Sequence, residues 1–206
     1  MMSMPVLETE RLQIRPFTLD DLDTVHQLFD VELRHVEFGD SGAKTRQARH
    51  QWLQWTIMSY EQLAALNQPP YGDRAVVRKL TGQLIGACGF VPCLEAFGQF
   101  PSFAATLTTP MARLTSPEVG LYYAFFPAHQ RHGYATEAVR ALIAFAFSTL
   151  QLRRIVATTT YENVRSIGVM HRIGMRVEQN PCADQPWPQV VGILDNPTAM
   201  ATSAQR

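Results

Sequence analysis

Cysteine is scarce: Cys88, Cys93 and Cys182 are the only three in 206 residues. The number is odd, and no pair has the C-x-x-C spacing of a zinc site. Reduced thiols and a cytoplasmic location are expected. The six histidines show no H-E-x-x-H or similar spacing, so no structural metal is expected. No uninterrupted apolar run reaches the length of a membrane span, and the N-terminus lacks the apolar core of a signal peptide. Formal net charge is zero, which gives no support to a nucleic-acid surface or a polybasic membrane patch. Two phosphate loops are also absent: G-x-x-x-x-G-K-[ST] and G-x-G-x-x-G. So is the G-x-S-x-G elbow of serine hydrolases. There is no repeat and no low-complexity tract.

What remains is ordinary for a folded soluble protein, with 46% apolar and 17% charged residues. The length suits a single domain, expected over residues 1–196, with 197–206 as a frayed tail. One stretch stands out, Gln130-Arg131-His132-Gly133-Tyr134-Ala135. An apolar, aromatic run precedes it, Val119 to Phe126, and reads as a strand buried on both faces. Thr136 to Leu150 follows with helical spacing, its apolar face carrying Ala138, Val139, Leu142, Phe145 and Ala146. Strand, glycine turn and helix N-terminus together suggest an anion site, because the first helical turn has free N–H groups and a partial positive charge. Gly133 lets the backbone approach a ligand. Taken alone, Q-x-x-G-x-A reads equally well as a turn glycine before a helix.

In chain order, alternation at Leu12 and Ile14 predicts a strand that Pro16 ends. Thr18 predicts an N-cap, and Leu22, Val25, Leu28 and Phe29 a helix over about Leu19–Asp30. Thr45 to Asn67 predicts a second helix, with Trp52, Trp55, Ser59, Leu63 and Leu66 as its stripe. That stripe reads as core or as the wall of a substrate groove. Tyr71–Leu80 and Gln83–Val91 form a hairpin turned by Thr81-Gly82. Gly86 and Gly89 mark a bulge or close backbone approach. Pro92 to Pro117 reads as an inserted loop, 92–117, bordering the substrate site; a disordered or dimer-packing loop is the other reading. Arg153 to Thr160 is a β-branched strand, and Asn163 caps a helix that Gly174 ends. Met175–Gln179 and Gln189–Leu194 complete the strands.

Three ordered stretches resemble the GNAT superfamily of acyl-CoA N-acyltransferases. The branch most similar contains the bacterial ribosomal-protein alanine N-acetyltransferases. The first stretch is Leu7-Glu8-Thr9-Glu10-Arg11-Leu12 to Arg15-Pro16 with Leu19-Asp20-Asp21-Leu22. The second is Gln130 to Ala135 with Thr136-Glu137-Ala138, similar to the family's pyrophosphate loop. The third is Asn163-x-x-Ser166 with Val169 to Met175. The likeness spans roughly residues 7 to 180 apart from the insertion. It implies an α/β (α+β) fold: a mixed, mostly antiparallel sheet of about six to seven strands flanked by helices and splayed between its two central strands.

The resemblance also implies a chemistry. Backbone amides from Arg131 to Thr136, with Gln130 at the head of the loop, hold the pyrophosphate of acetyl-CoA. Tyr123, Ala124 and Phe125 pair their backbone with the pantetheine arm. The thioester enters the gap beside the strand of Arg154 to Thr160, and an amine attacks it directly. Glu118 is the candidate base, directly or through water, or else an exposed loop carboxylate. Many members place a tyrosine acid where this chain has Met170, which cannot donate a proton. Ser166 takes that role in the resembled branch; otherwise it is a polar first-turn residue. Asn163 caps the helix and touches the cofactor, and Tyr161 is a second hydroxyl nearby. Cys88 reads as a small core residue rather than a nucleophile.

The acceptor is a primary amine, either a protein N-terminus or a small molecule. Glu32, Glu37 and Asp40 form a thin acidic group that could steer a cation. Dimers are common in the resembled family, so a homodimer is an expected state. The alternative function is an acyl-CoA-binding or inactive GNAT-fold scaffold or sensor.

Overall fold

Alternation puts Leu12 and Ile14 on one side of a strand, and both are fully buried in β2 (Leu12–Arg15). The computed structural model describes residues 4–36, 42–104, 114–181 and 187–198. Its other strands are β1 (Leu7–Glu8), β3 (Gly72–Arg78), β4 (Gln83–Glu95), β5 (Ser116–Phe125), β6 (Arg154–Thr159), β7 (Arg176–Gln179) and β8 (Val190–Asp195). They form one mixed sheet in the order β1-β2-β3-β4-β5-β6-β8-β7. β5 and β6 run parallel, and their ladder is a single bridge, Gly120↔Val156. Eight strands exceed the expected six to seven because β1, at two residues, is too short for any periodicity to show.

The chain divides into two compact units, Met1–Phe90 with Tyr122–Leu142, and Val91–Leu121 with Ile143–Arg206. In the first, Thr18 is the extended N-cap of a 3-10 turn, Leu19–Asp21, that leads into helix α1 (Leu22–His26). Asp21 does not stay in solvent near the helix N-terminus. It accepts both arms of Arg15 at 2.8 Å and the Thr18 N–H at 2.8 Å. The helix continues as a π-turn, Gln27–Glu32, closed by Leu33 N–H to Leu28 O at 3.0 Å. Leu22, Val25, Leu28, Phe29 and Leu53 pack with Ala75, Val77, Leu84, Ala87 and Ala124 into one core.

Helix α2 (Arg46–Ala65) corrects the expected stripe. Its buried residues are Arg49, Leu53 and Thr56, whereas Trp55 is 63% exposed and Leu66 67% exposed. Trp52 packs at the edge of the core. Arg49 can turn inward because Asp30 accepts its Nε and Nη2 at 2.8 Å each. Inward polar residues carry no hydrophobic signal, so the apparent stripe is rotated away from the true face. In the hairpin, Gly86 and Gly89 do sit at close approaches. A Cβ on Gly86 would lie 2.5 Å from Ala124 O, and one on Gly89 would lie 2.2 Å from Gly72 O. The register also shifts between Val76 and Val77, beside Gly86.

In the second unit, the stretch expected as an inserted loop carries structure. β4 runs on through Pro92 to Glu95, a 3-10 turn spans Phe97–Gln99, and helix α3 covers Pro101–Ala104. Phe97, Phe100 and Phe103 are buried with Val156, Val191 and Ile193. Each such ring is worth about 1.5–3 kcal/mol of burial, enough to hold a stretch rich in glycine and proline against the sheet. Helix α4 (Tyr134–Ser148) buries Ala138, Val139, Leu142, Phe145 and Ala146 as the spacing predicts. Helix α5 (Val164–Arg172) ends at Gly174, whose φ of +85° suits glycine. Glu37, Asp40, Cys182, the middle of the 92–117 stretch (105–113) and the tail from 199 lie outside the described residues.

Candidate active site

The glycine-bearing turn lies in the first unit. β5 ends at Phe125, Pro127–His129 form a 3-10 turn, and α4 starts at Tyr134. Arg131 has φ 64° and Gly133 φ 81°, so the backbone takes the left-handed conformation twice in three residues. A Cβ at Gly133 would meet only the Arg11 guanidinium, at 3.4 Å. The outward side of the turn is therefore open. Among the described residues, nothing accepts a hydrogen bond from the backbone N–H of Arg131, His132, Gly133, Tyr134, Ala135 or Thr136. Such a run of unsatisfied donors at a helix start fits a diphosphate.

The side chains of the turn brace it. Gln130 Nε2 donates to Phe125 O at 3.0 Å, tying the turn to the end of β5. His132 Nδ1 lies 2.8 Å from Gln130 O, and its ring stacks on Tyr134 at 5.7 Å. Tyr134 is buried, while Arg131, His132 and Gly133 are exposed. Ala135 and Thr136 are half-buried.

Arg11 and Thr9 complete the brace, and sequence reasoning missed both as site residues. Arg11 donates to Glu137 from its backbone N–H at 2.9 Å and from Nε at 2.7 Å. Its Nη1 donates to His132 O at 3.1 Å, and its guanidinium sits 4.6 Å above the Tyr134 ring. Thr9 Oγ1 donates to Glu137 at 2.6 Å. Burial pushes the Glu137 carboxyl up, but the bonds from Thr9 and Arg11 outweigh it and hold the carboxyl below the usual range. Arg11 thus cancels a carboxylate that would oppose an anion at the turn. The only sequence signal was its place in the N-terminal stretch of the family likeness, since the two partners are far apart in the chain.

Tyr123 is half-buried on β5, and Ala124 and Phe125 are buried. In the second unit, Glu118 is half-buried near the start of β5. Burial raises its carboxyl, opposed by Arg154 and Arg153. Arg154 Nη1 lies 3.5 Å from Glu118, while its Nε donates to Asp195 at 2.7 Å. Glu118 is thus a partly neutralised, desolvated carboxylate rather than an exposed loop acid. Asn163 is the N-cap of α5, accepting from the Ser166 N–H at 3.1 Å. Ser166 is half-buried in the first turn, and Met170 is fully buried. Tyr161 OH donates to Asn180 O at 3.2 Å, which gives that hydroxyl a structural bond. Cys88 is fully buried, its thiol pushed above its ordinary range by burial, which agrees with a core role. Among the described residues, no group of three or more His, Cys, Asp or Glu side chains could hold a metal ion. No described helix is long and apolar enough to cross a membrane.

The model of the Acetyltransferase (GNAT) domain family matches residues 11–176. The chain is 27% identical over 175 residues to the uncharacterized N-acetyltransferase YoaA of Bacillus subtilis (strain 168), covering 84% of each protein. It resembles the solved acetyltransferase (GNAT family) from Bacillus anthracis with a TM-score of 0.68 and 21% identity, over 93% of this chain and 99% of that one. It resembles the ribosomal-protein-S5-alanine acetyltransferase from Vibrio fischeri with a TM-score of 0.65 and 17% identity, over 94% and 98% of the two chains. At those identities the solved structures speak to fold alone.

Proposed function

This chain belongs to the GNAT acetyltransferase family, and from that premise we propose that it transfers an acetyl group from acetyl-CoA to a primary amine by direct attack. The observation that carries the proposal is the run of N–H groups from Arg131 to Thr136, at an open turn, with no acceptor among the described residues. These donors hold the pyrophosphate, and the N-terminal field of α4 adds to them. Arg11 keeps the local field favourable by neutralising Glu137. The backbone of Tyr123 to Phe125 pairs with the amides of the pantetheine arm as an added strand pairs with a sheet edge. Acetyl-CoA supplies the activated thioester; the residues position, orient and handle protons.

Glu118 takes the proton of the attacking amine, directly or through water. Its raised carboxyl supports this, because a base works best with a pKa near the working pH. Ser166 donates to the departing thiolate, and Asn163 holds it in place through the helix cap. The acceptor is a protein N-terminus, as in the ribosomal-protein alanine branch, or a small-molecule amine. We place the reaction in the cytoplasm, with the protein acting alone or as a homodimer. A scaffold reading draws on Met170, a buried thioether where many relatives have a tyrosine acid.

Calorimetric titration with acetyl-CoA, parent beside Gly133→Glu, tests the site. The parent should bind and the variant should not, since a carboxylate would face the pyrophosphate. No binding by the parent sinks the enzyme reading. Glu118→Gln should keep acetyl-CoA binding and lose about 10²-fold or more in thiol release with an amine panel. Tight binding by the parent without thiol release would favour the scaffold.

A further inference from the structure

Away from the turn, in the same unit, one carboxylate oxygen has no hydrogen-bond partner among the described residues. Asp73 is half-buried on β3, and its Oδ1 is closed to solvent with no hydrogen bond among the described residues. Native proteins rarely leave such an oxygen unsatisfied, because desolvating it costs free energy that nothing returns. The nearby cations do not supply the missing bond. Arg74, its chain neighbour, sits 4.3 Å over the Tyr60 ring. Arg49 acts on Asp73 only through its field, because both its bonded arms go to Asp30. Asp30 also accepts the Lys44 N–H at 2.8 Å and lies 2.9 Å from His26 Nδ1. Asp30 and Asp73 therefore share the field of one guanidinium, whose bonded arms both go to Asp30.

Gly89 lies opposite Asp73 in the ladder, so no side chain covers the carboxylate from that position. Close backbone approach requires glycine there. Tyr122, within the electrostatic reach of Asp73, lies on β5 directly before the backbone assigned to the pantetheine arm. Phe29 stands 6.4 Å from Tyr122 and 5.8 Å from Trp52, and the Arg49 guanidinium already lies 4.9 Å over the Phe29 ring and 4.9 Å over the Trp52 ring. A desolvated carboxylate oxygen without a hydrogen bond suits an ammonium group better than a neutral one.

We propose that Asp73 receives the ammonium group of the acceptor, so that the acceptor is a primary amine presenting one positive charge at its reacting end. The proposal rests on the acetyl-transfer reading and adds the residue that selects the substrate.

The test titrates the protein, saturated with CoA so that no transfer occurs, with 2-phenylethylammonium and with 2-phenylethanol. The parent should bind the ammonium at least tenfold more tightly than the alcohol. Asp73→Asn should erase that preference with CoA affinity unchanged, and Asp73→Glu should keep part of it. Equal affinity of the two probes for the parent, including no binding of either, overturns the proposal. So does a preference that survives in Asp73→Asn, or a loss of CoA binding together with cooperative unfolding in that variant, which would mark a structural role. Failure of CoA to bind the parent counts against the acetyl-CoA reading instead, and the same two titrations on the free protein then decide the role of Asp73.

Discussion

Single residues hold the chemistry here by standing where burial works against them. Burial pushes the Asp73 carboxyl up to about 6, with Arg49 opposing. Its folded pKa therefore lies above its unfolded value. The stability it contributes is complete below the ordinary carboxylate range and is lost as pH rises through about 6. Arg49 faces it from α2, with Tyr122 on β5 and Cys88 on β4 also within its field. Asp73→Asn cannot ionise, so it should be more stable than the parent at pH 8, by about 2–3 kcal/mol for a shift of about two pKa units. The gap should close by pH 4. Urea midpoints at both pH values check this, and a gap that does not change with pH would rule out the ionised carboxylate as the cause. None of this was legible in the sequence. An aspartate after Gly72 in a hairpin reads as a surface residue until the fold shows which strands and helix surround it.

At the scale of elements, the stretch after β4 shows how packing overrides local composition. Gly, Pro, Ser and Thr around Phe97, Phe100 and Phe103 read as loop, yet the three rings fill a core with Val156, Val191 and Ile193. Phe97 and Phe103 stack at 4.9 Å, and Phe100 is fully buried. Phe100→Ala should cost about 3–5 kcal/mol. A urea midpoint within experimental error of the parent would show that the stretch is dispensable to the fold. The brace on α4 is a second case. The Arg11 contact to Glu137 is partly exposed, so Arg11→Ala should cost no more than about 1 kcal/mol of stability. It should still weaken acetyl-CoA binding severalfold, because Glu137 is left uncompensated beside the turn. Calorimetry beside a melting curve separates the two effects. By contrast, α4 and α5 were legible, since their apolar faces, the Asn163 cap and the Gly174 stop are all local signals.

For the whole molecule, a formal net charge of zero at pH 7 removes the self-repulsion that keeps proteins apart. Solubility should pass through a minimum near pH 7 and rise on either side, as precipitation by polyethylene glycol across pH would show. A solubility that falls steadily from pH 5 to 9 would contradict this. The sequence alone determined the strand–turn–helix around Gly133, the caps of the helices, the hairpin and the family, because each depends on neighbours within a few positions or on an ordered series of such signals. Only the tertiary structure decided that Arg11 closes on Glu137, that α2 turns Arg49 inward, that the three phenylalanines are core, and that one Asp73 oxygen is buried with no hydrogen bond among the described residues. Those outcomes depend on which distant groups share a desolvated space, and linear spacing carries no record of that.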